Sequence, residues 1–492
     1  MERKWWTLVA VSVGIFMLLM DITIVNVALP RIQDELHASF DDLQWVISAY
    51  ALSLAALLLT AGSIADLLGR RRIFLIGLVV FTLSSLTCGL SSGVLMLNLA
   101  RAVQGAGGAM MLATSLALIA SAFHGRDRGV AFGVYGAVIG AAVAVGPVVG
   151  GALTAGIGWE WIFFVNVPIG VAALVIALLR VEESRDPDAT RVDWLGLVTF
   201  SGALFLLVFG LTQGNDAGWG SAEIVGCLGG GALLLVAFYV VERLQERPML
   251  DLALLRVPAF AGVSLATFAL ASSMFAMFLY LTLYIQNVLG YGPLQAGLRF
   301  LPISLISFVV SPLAGRLTVR LPVRWLLSGG LALVAAGLAS MSVLNAGSSW
   351  TVLLLGFVLA GVGIGLANPA IASTAVGVVP HARAGMASGF NNTCRQVGLA
   401  TGIAALGAIF QHELSVRSDG RLSGSSALAA HGQGVVPHFV RVAFTGALGE
   451  ILTIGAGTAL VGALLALALV RQRDFVAAHA GAPAPAAAAV EG

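Results

Sequence analysis

Long apolar runs, separated by short polar segments, dominate this sequence. Each run is long enough to cross the hydrocarbon core of a bilayer, which a helix spans with roughly 20 apolar residues. The fourteen runs lie at approximately 5–29, 43–63, 73–92, 96–121, 128–154, 161–180, 193–213, 222–242, 259–284, 295–318, 323–344, 350–372, 385–410 and 439–470. The pattern predicts an all-α integral membrane protein with fourteen transmembrane helices.

The basic residues between these runs indicate how the helices are oriented. With a cytoplasmic N-terminus, 19 of the 26 Lys and Arg residues fall in cytoplasmic segments, 4 fall outside and 3 fall within helices or at their edges. Such a skew follows the positive-inside rule. We therefore expect a multi-pass protein of the cell membrane with both termini in the cytoplasm.

Composition supports the membrane assignment. Hydrophobic residues make up 59% of the 492 positions and charged residues 10%, whereas soluble domains carry about 25% charged residues. The net charge of +2 does not indicate a nucleic-acid partner, and the lipid bilayer is the expected surroundings. The three cysteines lie in separate apolar runs, so we expect no disulfide framework, no metal site and no cofactor.

The segment GSIADLLGRRR, between the second and third runs, carries the first informative motif. It closely resembles the cytoplasmic loop signature of the major facilitator superfamily, in which the loop acts as a conformational latch. The alternative interpretation is a generic positively charged turn. The resemblance assigns latch roles to Gly62, Asp66, Gly69, Arg70 and Arg71.

This resemblance implies a particular organisation of the helices. The major facilitator fold has two six-helix bundles around a central cavity, and here two linker helices would separate them. The expected divisions are a first bundle at 1–180, a spacer at 181–257, a second bundle at 258–470 and a disordered cytoplasmic tail at 471–492.

Two charged residues lie inside apolar runs of the first half. Asp21 lies in LMDITIVNVALP, which resembles the first-helix signature of the fourteen-helix drug:proton antiporter branch that includes EmrB and QacA. Arg101 lies in LARAVQGAGG, which resembles the superfamily's R-x-x-Q-G-x-G signature. A charge in the membrane is costly and usually functional, and the resemblance implies proton coupling. The alternatives are a structural hydrogen bond for Asp21 and a snorkelling side chain for Arg101.

The fifth run is rich in small residues at helical spacing. GxxxG pairs of this kind let two helix backbones approach closely. The string AVAVGPVVGG resembles the antiporter signature of proton-coupled drug exporters, and generic tight packing is the alternative. The residues assigned to this motif are Gly140, Gly146, Pro147, Gly150 and Gly151.

The second half carries weaker candidates. Arg395 lies in SGFNNTCRQVG, which resembles the S-x-x-N-x-x-R-Q-x-G pattern of the same branch and favours a cavity or interface role. Glu450 is a second intramembrane acid and a weak candidate. Several large side chains could line a drug cavity or simply pack in the helix bundle: Phe275, Met277, Tyr280 and Tyr284.

These features predict a proton-coupled antiporter that exports hydrophobic drugs, antibiotics or metabolites, neutral or cationic. No loop is long enough to hold an ATPase domain, so an ion gradient must supply the energy. The choice of H⁺ over Na⁺, like the expected monomeric state, comes from the resemblance. A proton-coupled importer of a small nutrient and a membrane sensor or enzyme on a transporter scaffold stay open as alternatives, although no enzyme site is predicted.

Overall fold

The computed structural model describes residues 2–38, 40–186, 193–245, 248–318, 320–418 and 437–475. Helices connected by short loops make up the described part of the chain, and none of its residues forms a strand. The α-helices are α1 (Arg3–Leu36), α2 (Phe40–Leu68), α3 (Arg70–Gly89), α4 (Val94–Ala122), α5 (Gly125–Gly156), α6 (Trp161–Phe164), α7 (Asn166–Arg180), α8 (Trp194–Ala217), α9 (Ala222–Leu244), α10 (Pro258–Leu270), α11 (Ala276–Leu283), α12 (Pro293–Leu317), α13 (Val323–Met341), α14 (Leu353–Gly377), α15 (Ala384–Arg417) and α16 (His438–Leu469).

The helices coincide with the predicted apolar runs. Within the described residues, thirteen helical segments are long and apolar enough to cross a membrane. The fifth predicted run, 128–154, falls on α5, a continuous helix of 32 residues that is not among those thirteen. The all-helical membrane fold predicted from the sequence is therefore confirmed.

The ninth membrane segment is irregular. Between Pro258 and Val288 it alternates α10, a π-helical turn at Ala271–Phe275, α11 and a second π-helical turn at Tyr284–Val288. A π-turn inserts an extra residue into the helix and often marks a functional position. Among the described membrane segments, this one contains π-helical turns at two places.

Buried apolar side chains gather in two large groups. One group is drawn mainly from α1 to α7 and includes Phe74, Phe81 and Leu116. The other is drawn from α10 to α16 and includes Phe357 and Phe444. Each set of helices thus has a core of its own, while the exact domain boundaries stay a prediction.

Helices α8 and α9 form a pair beside both groups. Their Phe200 and Phe238 rings lie 4.9 Å apart at their centroids. The same cluster contains Leu59 of α2, Met386 of α15 and Leu250 of the segment after α9. The pair therefore rests against the place where α2 meets α15.

Both described ends of the chain lie on one face of the helix bundle, here called the terminal face. Lys4 pairs at 2.8 Å with Asp127, at the start of α5. Near the other end, Asp474 accepts a hydrogen bond at 3.2 Å from the Ala259 amide, at the start of α10. Residues 472–474 of the predicted tail form a short 3₁₀-helix, and 476–492 lie outside the described residues.

Glycines let α3 and α4 touch backbone to backbone. A Cβ atom on Gly107 would lie 2.6 Å from the Phe81 amide nitrogen and 3.0 Å from the Gly77 carbonyl oxygen. By contrast, a Cβ atom on Gly229 in α9 would meet nothing within 4 Å. The first site has no room for a methyl group and the second has ample room.

We therefore expect Gly107→Ala to destabilise the protein by about 1–3 kcal/mol, because the added methyl group forces two backbones apart. The matched control Gly229→Ala should be neutral or slightly stabilising, since alanine favours helix without a clash. Thermal unfolding of both variants in the same detergent compares them. Equal midpoints would contradict the close backbone packing.

Candidate functional site

A buried ion pair lies inside the first group of helices. Asp21 of α1 is fully buried and Arg101 of α4 is 2% exposed. Arg101 Nη1 and Asp21 Oδ2 are 2.5 Å apart. The arginine thus turns inward toward the carboxylate instead of extending to the membrane surface.

Neighbouring side chains complete the hydrogen bonding of this pair. Asp21 Oδ1 accepts from Gln104 Nε2 and from Asn166 Nδ2, each at 2.9 Å. Arg101 donates to Gln104 Oε1 at 2.7 Å and to the Val46 carbonyl at 3.0 Å. Both oxygens of Asp21 are therefore occupied in a site without bulk water, which is what a buried charge pair needs to be tolerated.

Two polar atoms around the ion pair have no hydrogen-bond partner among the described residues. The Tyr50 ring lies 4.3 Å from the Arg101 guanidinium carbon, in a cation–π arrangement. The Tyr50 hydroxyl and the Asn166 Oδ1 atom are buried and have no hydrogen-bond partner among the described residues. Gln104 and Asn166 were not predicted as site residues, although Gln104 is the glutamine of the motif that contains Arg101.

A second polar site joins α2 and α3 to α15 at the terminal face. The Asp66 carboxylate accepts hydrogen bonds from the backbone amides of Gly385, at 2.9 Å, and Met386, at 2.8 Å. It also pairs at 2.8 Å with Arg70, whose Nη2 donates to the Ala382 carbonyl at 2.7 Å. The carboxylate thereby caps backbone amides at the start of α15 that have no carbonyl partner within the helix, at the end where the helix dipole favours a negative charge.

The other predicted latch residues lie around this contact. Gly62 packs against the Gly385 carbonyl so closely that a side chain could not be accommodated. Gly69 has φ 114°, a backbone conformation that favours glycine. The Arg71 amide donates at 3.0 Å to Glu183, which follows α7 and was not predicted. The five predicted residues are thus brought to one place.

The spacer adds a contact that the sequence did not predict. Asp251, after α9, pairs with Arg383, just before α15, at 2.5 Å between Oδ2 and Nη1. Both side chains are partly exposed. The start of α15 is therefore held by Asp66 on one side and by Asp251 on the other.

The glycines of the fifth-helix motif face two different helices. Gly146 and Gly150 pack on α1, where a Cβ atom on Gly150 would lie 2.8 Å from Ile24 Cγ1. A Cβ atom on Gly146 would clash with Thr23 Oγ1. These contacts come two and three residues after Asp21 in the chain, so α5 lies directly against the segment that carries the buried carboxylate.

The remaining glycines of the motif face α12. A Cβ atom on Gly140 would lie 3.2 Å from Ser307 Oγ, and one on Gly151 would lie 3.7 Å from Leu294 Cβ. The side chain of Pro147 lies outside the described part of the structure. Helix α5 thus lies between α1 of the first group and α12 of the second.

Arg395 and Glu450 are not part of the Asp21 cluster. Arg395 is partly buried, and no hydrogen bond or ion pair to it is found in the described part of the chain. Glu450 is half exposed on α16 and lies 3.9 Å from Arg417. Of the four residues predicted for proton or substrate binding, only Asp21 and Arg101 come together.

An apolar cavity lies between α5 and the second group of helices. Its volume is about 20 Å³, which is room for about one water molecule, and its lining is Ile139, Gly140, Phe275, Phe278, Ile303, Ser304, Ser307 and Ile364. Of the four large side chains that the sequence analysis offered either as cavity lining or as packing residues, Phe275 lines this cavity. Met277, Tyr280 and Tyr284 are buried in the core of the second group. Within the described residues, no cluster of three or more His, Cys, Asp or Glu could hold a metal.

Comparison with known proteins identifies the class. Residues 11–403 match the family model of the Major Facilitator Superfamily, so the chain belongs to this superfamily of secondary transporters. Two solved structures share the fold. The human organic anion transporter MFSD10 (TETRAN) has a TM-score of 0.64 at 16% identity, covering 95% of this chain and 100% of its own. The proton:xylose symporter XylE has a TM-score of 0.62 at 13% identity, covering 95% and 96%.

Relatives with curated names are more similar in sequence. The multidrug resistance protein Stp of Mycobacterium tuberculosis is 38% identical over 410 residues, covering 83% of this chain and 76% of the relative. The tetracenomycin C resistance and export protein of Streptomyces glaucescens is 34% identical over 517 residues, covering 100% and 96%. The puromycin resistance protein pur8 of Streptomyces alboniger is 38% identical over 413 residues, covering 83% and 82%.

We expect Arg101→Gln to destabilise the protein by about 3–5 kcal/mol, because it leaves the buried Asp21 carboxylate without a counter-charge. The double variant Asp21→Asn, Arg101→Gln should lose less stability than Arg101→Gln alone, since no uncompensated charge is left. Thermal unfolding of the single and double variants forms the cycle. Strictly additive losses would show that the two side chains do not stabilise each other.

Proposed function

We propose that this chain is a proton-coupled antiporter that exports hydrophobic drugs, antibiotics or metabolites across the cytoplasmic membrane. The observation that carries this proposal is the buried Asp21–Arg101 pair within a major facilitator fold. A carboxylate is a group that can take up and release a proton, and an intramembrane ionisable pair is a functional site by default. The names of the relatives support export, since they record drug resistance and efflux.

The proposed coupling runs through packed helices. Protonation of Asp21 removes its charge and so weakens its attraction to Arg101. Thr23 and Ile24 follow Asp21 by two and three residues on α1, and they touch Gly146 and Gly150 of α5. A shift of α1 is therefore passed to α5, which packs on α12 of the second group. This chain of contacts links the protonation of Asp21 to the relative position of the two groups of helices.

The Asp66 contact gives the proposed latch. It joins the first group of helices to the start of α15 at the terminal face, which is the cytoplasmic side in the proposed orientation. Opening toward the cytoplasm requires these hydrogen bonds to break, and opening toward the outside leaves them in place. The structure thus corresponds to a state closed at its terminal face.

The finer assignments belong to the same proposal. We place the chain in the fourteen-helix drug:proton branch, with α5 as the fifth membrane helix. The regions 1–180 and 258–470 are the two bundles that rock about the cavity, and 181–257 is the spacer. The protein acts as a monomeric transporter and not as an enzyme, with both termini in the cytoplasm.

Asp66→Ala is expected to loosen the terminal face, because two amides of α15 and Arg70 lose their shared partner. Ser388→Cys, at a fully buried position of α15, reports the change in a chain whose native cysteines are replaced. Its labelling by maleimide should quicken about tenfold or more. Loss of about 1.4 kcal/mol from the stability of the closed terminal face raises the population of the open form tenfold. The control Glu182→Ala removes an exposed acid on the same face and should leave the rate unchanged. Unchanged labelling in Asp66→Ala would argue against the latch.

The transport activity is tested in energised inverted membrane vesicles with ethidium and tetracenomycin C as probes. We expect uptake of at least one probe that stops when nigericin collapses the pH gradient. Asp21→Asn, which cannot ionise, should abolish the dependence on the gradient. Uptake of neither probe would refute the export proposal, and an Asp21→Asn protein with full proton dependence would refute the role of Asp21.

A further inference from the structure

Arg395 is a charged side chain inside the membrane that the proposed coupling does not use. It lies about eleven residues into α15, which at 1.5 Å per residue places it roughly 17 Å from the terminal face. It is partly buried, and the described part of the chain offers it neither an ion pair nor a hydrogen bond. Arg101, by contrast, has an ion-pair partner and donates three hydrogen bonds. A guanidinium at this depth is costly without a partner, so its position needs a functional reason.

The side chains around Arg395 form one polar face of α15. Ser388, Asn392 and Arg395 are spaced at i, i+4 and i+7, which places them on the same side of the helix. Asn392 Nδ2 donates to the Leu112 carbonyl of α4 at 3.4 Å, so this side is turned toward the first group of helices. Arg395 therefore faces the interface between the two groups.

Helix α5 contributes a phenol on the opposite side of this interface. Tyr135 is close enough to Arg395 to interact with it electrostatically. Its hydroxyl lies 3.1 Å from Ser115 Oγ, and Ser115 in turn donates to the same Leu112 carbonyl that Asn392 reaches. The tyrosine hydroxyl and the guanidinium thus belong to one polar layer.

Several polar atoms of this layer are buried and have no partner among the described residues. They are Ser388 Oγ, Asn392 Oδ1 and both amide atoms of Asn368 in α14. Asn368 lies near the part of α5 that carries Tyr135. The next residue, Pro369, packs on Gly136, where a Cβ atom would lie 3.2 Å from the proline ring. Buried polar groups are normally hydrogen-bonded. Unfilled hydrogen-bonding atoms at the same interface as an unpaired guanidinium indicate a site for a polar group from outside the chain.

The apolar cavity begins one helical turn farther from the terminal face. Ile139 follows Tyr135 by four residues on α5, and Ile364 precedes Asn368 by four residues on α14. Both isoleucines line the cavity, together with Phe275 and Phe278 on the irregular ninth segment. None of its eight lining residues is acidic. A polar layer with one positive charge thus adjoins an apolar, aromatic space.

We infer that Arg395 and its polar layer bind the acidic end of an amphipathic organic anion, whose apolar rings occupy the neighbouring cavity once it widens as the two groups of helices move apart. This inference rests on the proposed export function and names its substrate class. A carboxylate, enolate or phenolate accepts charge-assisted hydrogen bonds from the guanidinium, and the amide nitrogen of Asn368 supplies a further donor. A lipophilic cation finds no counter-charge in the cavity and is repelled by Arg395.

Two fluorescent probes that differ only in charge test the inference. 8-Anilinonaphthalene-1-sulfonate carries a sulfonate on the ring system that N-phenyl-1-naphthylamine presents without charge. Binding of each is measured by energy transfer from tryptophan, with purified protein in lipid nanodiscs and empty nanodiscs as background. Arg395→Gln should weaken binding of the sulfonate about tenfold or more and leave the neutral probe within about twofold.

Three further variants separate binding from structure. Arg395→Lys keeps the charge and should retain most of the affinity for the sulfonate. Arg417→Gln makes the same substitution on an exposed residue of the same helix and should change neither probe. Asn368→Ala should weaken the sulfonate selectively, and it keeps the test decisive if the Arg395→Gln protein does not fold.

Other outcomes would overturn the inference. If the wild type binds the sulfonate no better than Arg395→Gln does, the site does not recognise anions. If Arg395→Gln weakens both probes equally, the arginine supports the structure only. These binding measurements do not depend on a proton gradient. Their failure would therefore overturn the anion site alone, whereas the export proposal is tested separately by gradient-driven uptake of ethidium and tetracenomycin C in vesicles.

Discussion

The need to satisfy charges where there is no water governs this structure. Asp21 and Arg101 are both inside the membrane and both buried, so each must be neutralised by a group of the protein. The pair, with Gln104 and Asn166, connects α1, α4 and α7, and the Val46 carbonyl adds α2. Four helices are thereby held in one arrangement, and any change in the charge of Asp21 must change how they pack.

In the proposed coupling, glycine contacts carry such a change between the groups of helices. Helix α5 touches α1 through Gly146 and Gly150, beside the buried carboxylate, and touches α12 through Gly140. At the terminal face, Asp66 holds the start of α15 through backbone amides. Because these contacts involve backbone atoms at short range, they allow few intermediate positions. That rigidity suits a protein that alternates between two packed states.

The two intramembrane arginines show how context decides the role of a residue. Arg101 is enclosed by partners and stabilises a charge of its own protein. Arg395 lies at the interface of the two groups with unsatisfied amides nearby and an apolar cavity one turn away. The first arrangement favours internal coupling and the second favours recognition of a ligand. Residue type and depth in the membrane are similar in both cases, and only the neighbours differ.

Hydropathy along the chain was enough to predict the helices, because the hydropathy of about twenty residues is a local property that sets whether a segment spans the membrane. The sequence also identified Asp21 and Arg101, since a charge in an apolar run stands out, and Asp66 through the resemblance of its loop to a family signature. Which charged groups meet became visible in the packed fold. Asp21 pairs with a residue eighty positions away, Asp251 joins Arg383, and Glu450 turns out to lie at the surface. Such pairings depend on how helices pack against each other, and hydropathy along the chain carries no information about that geometry.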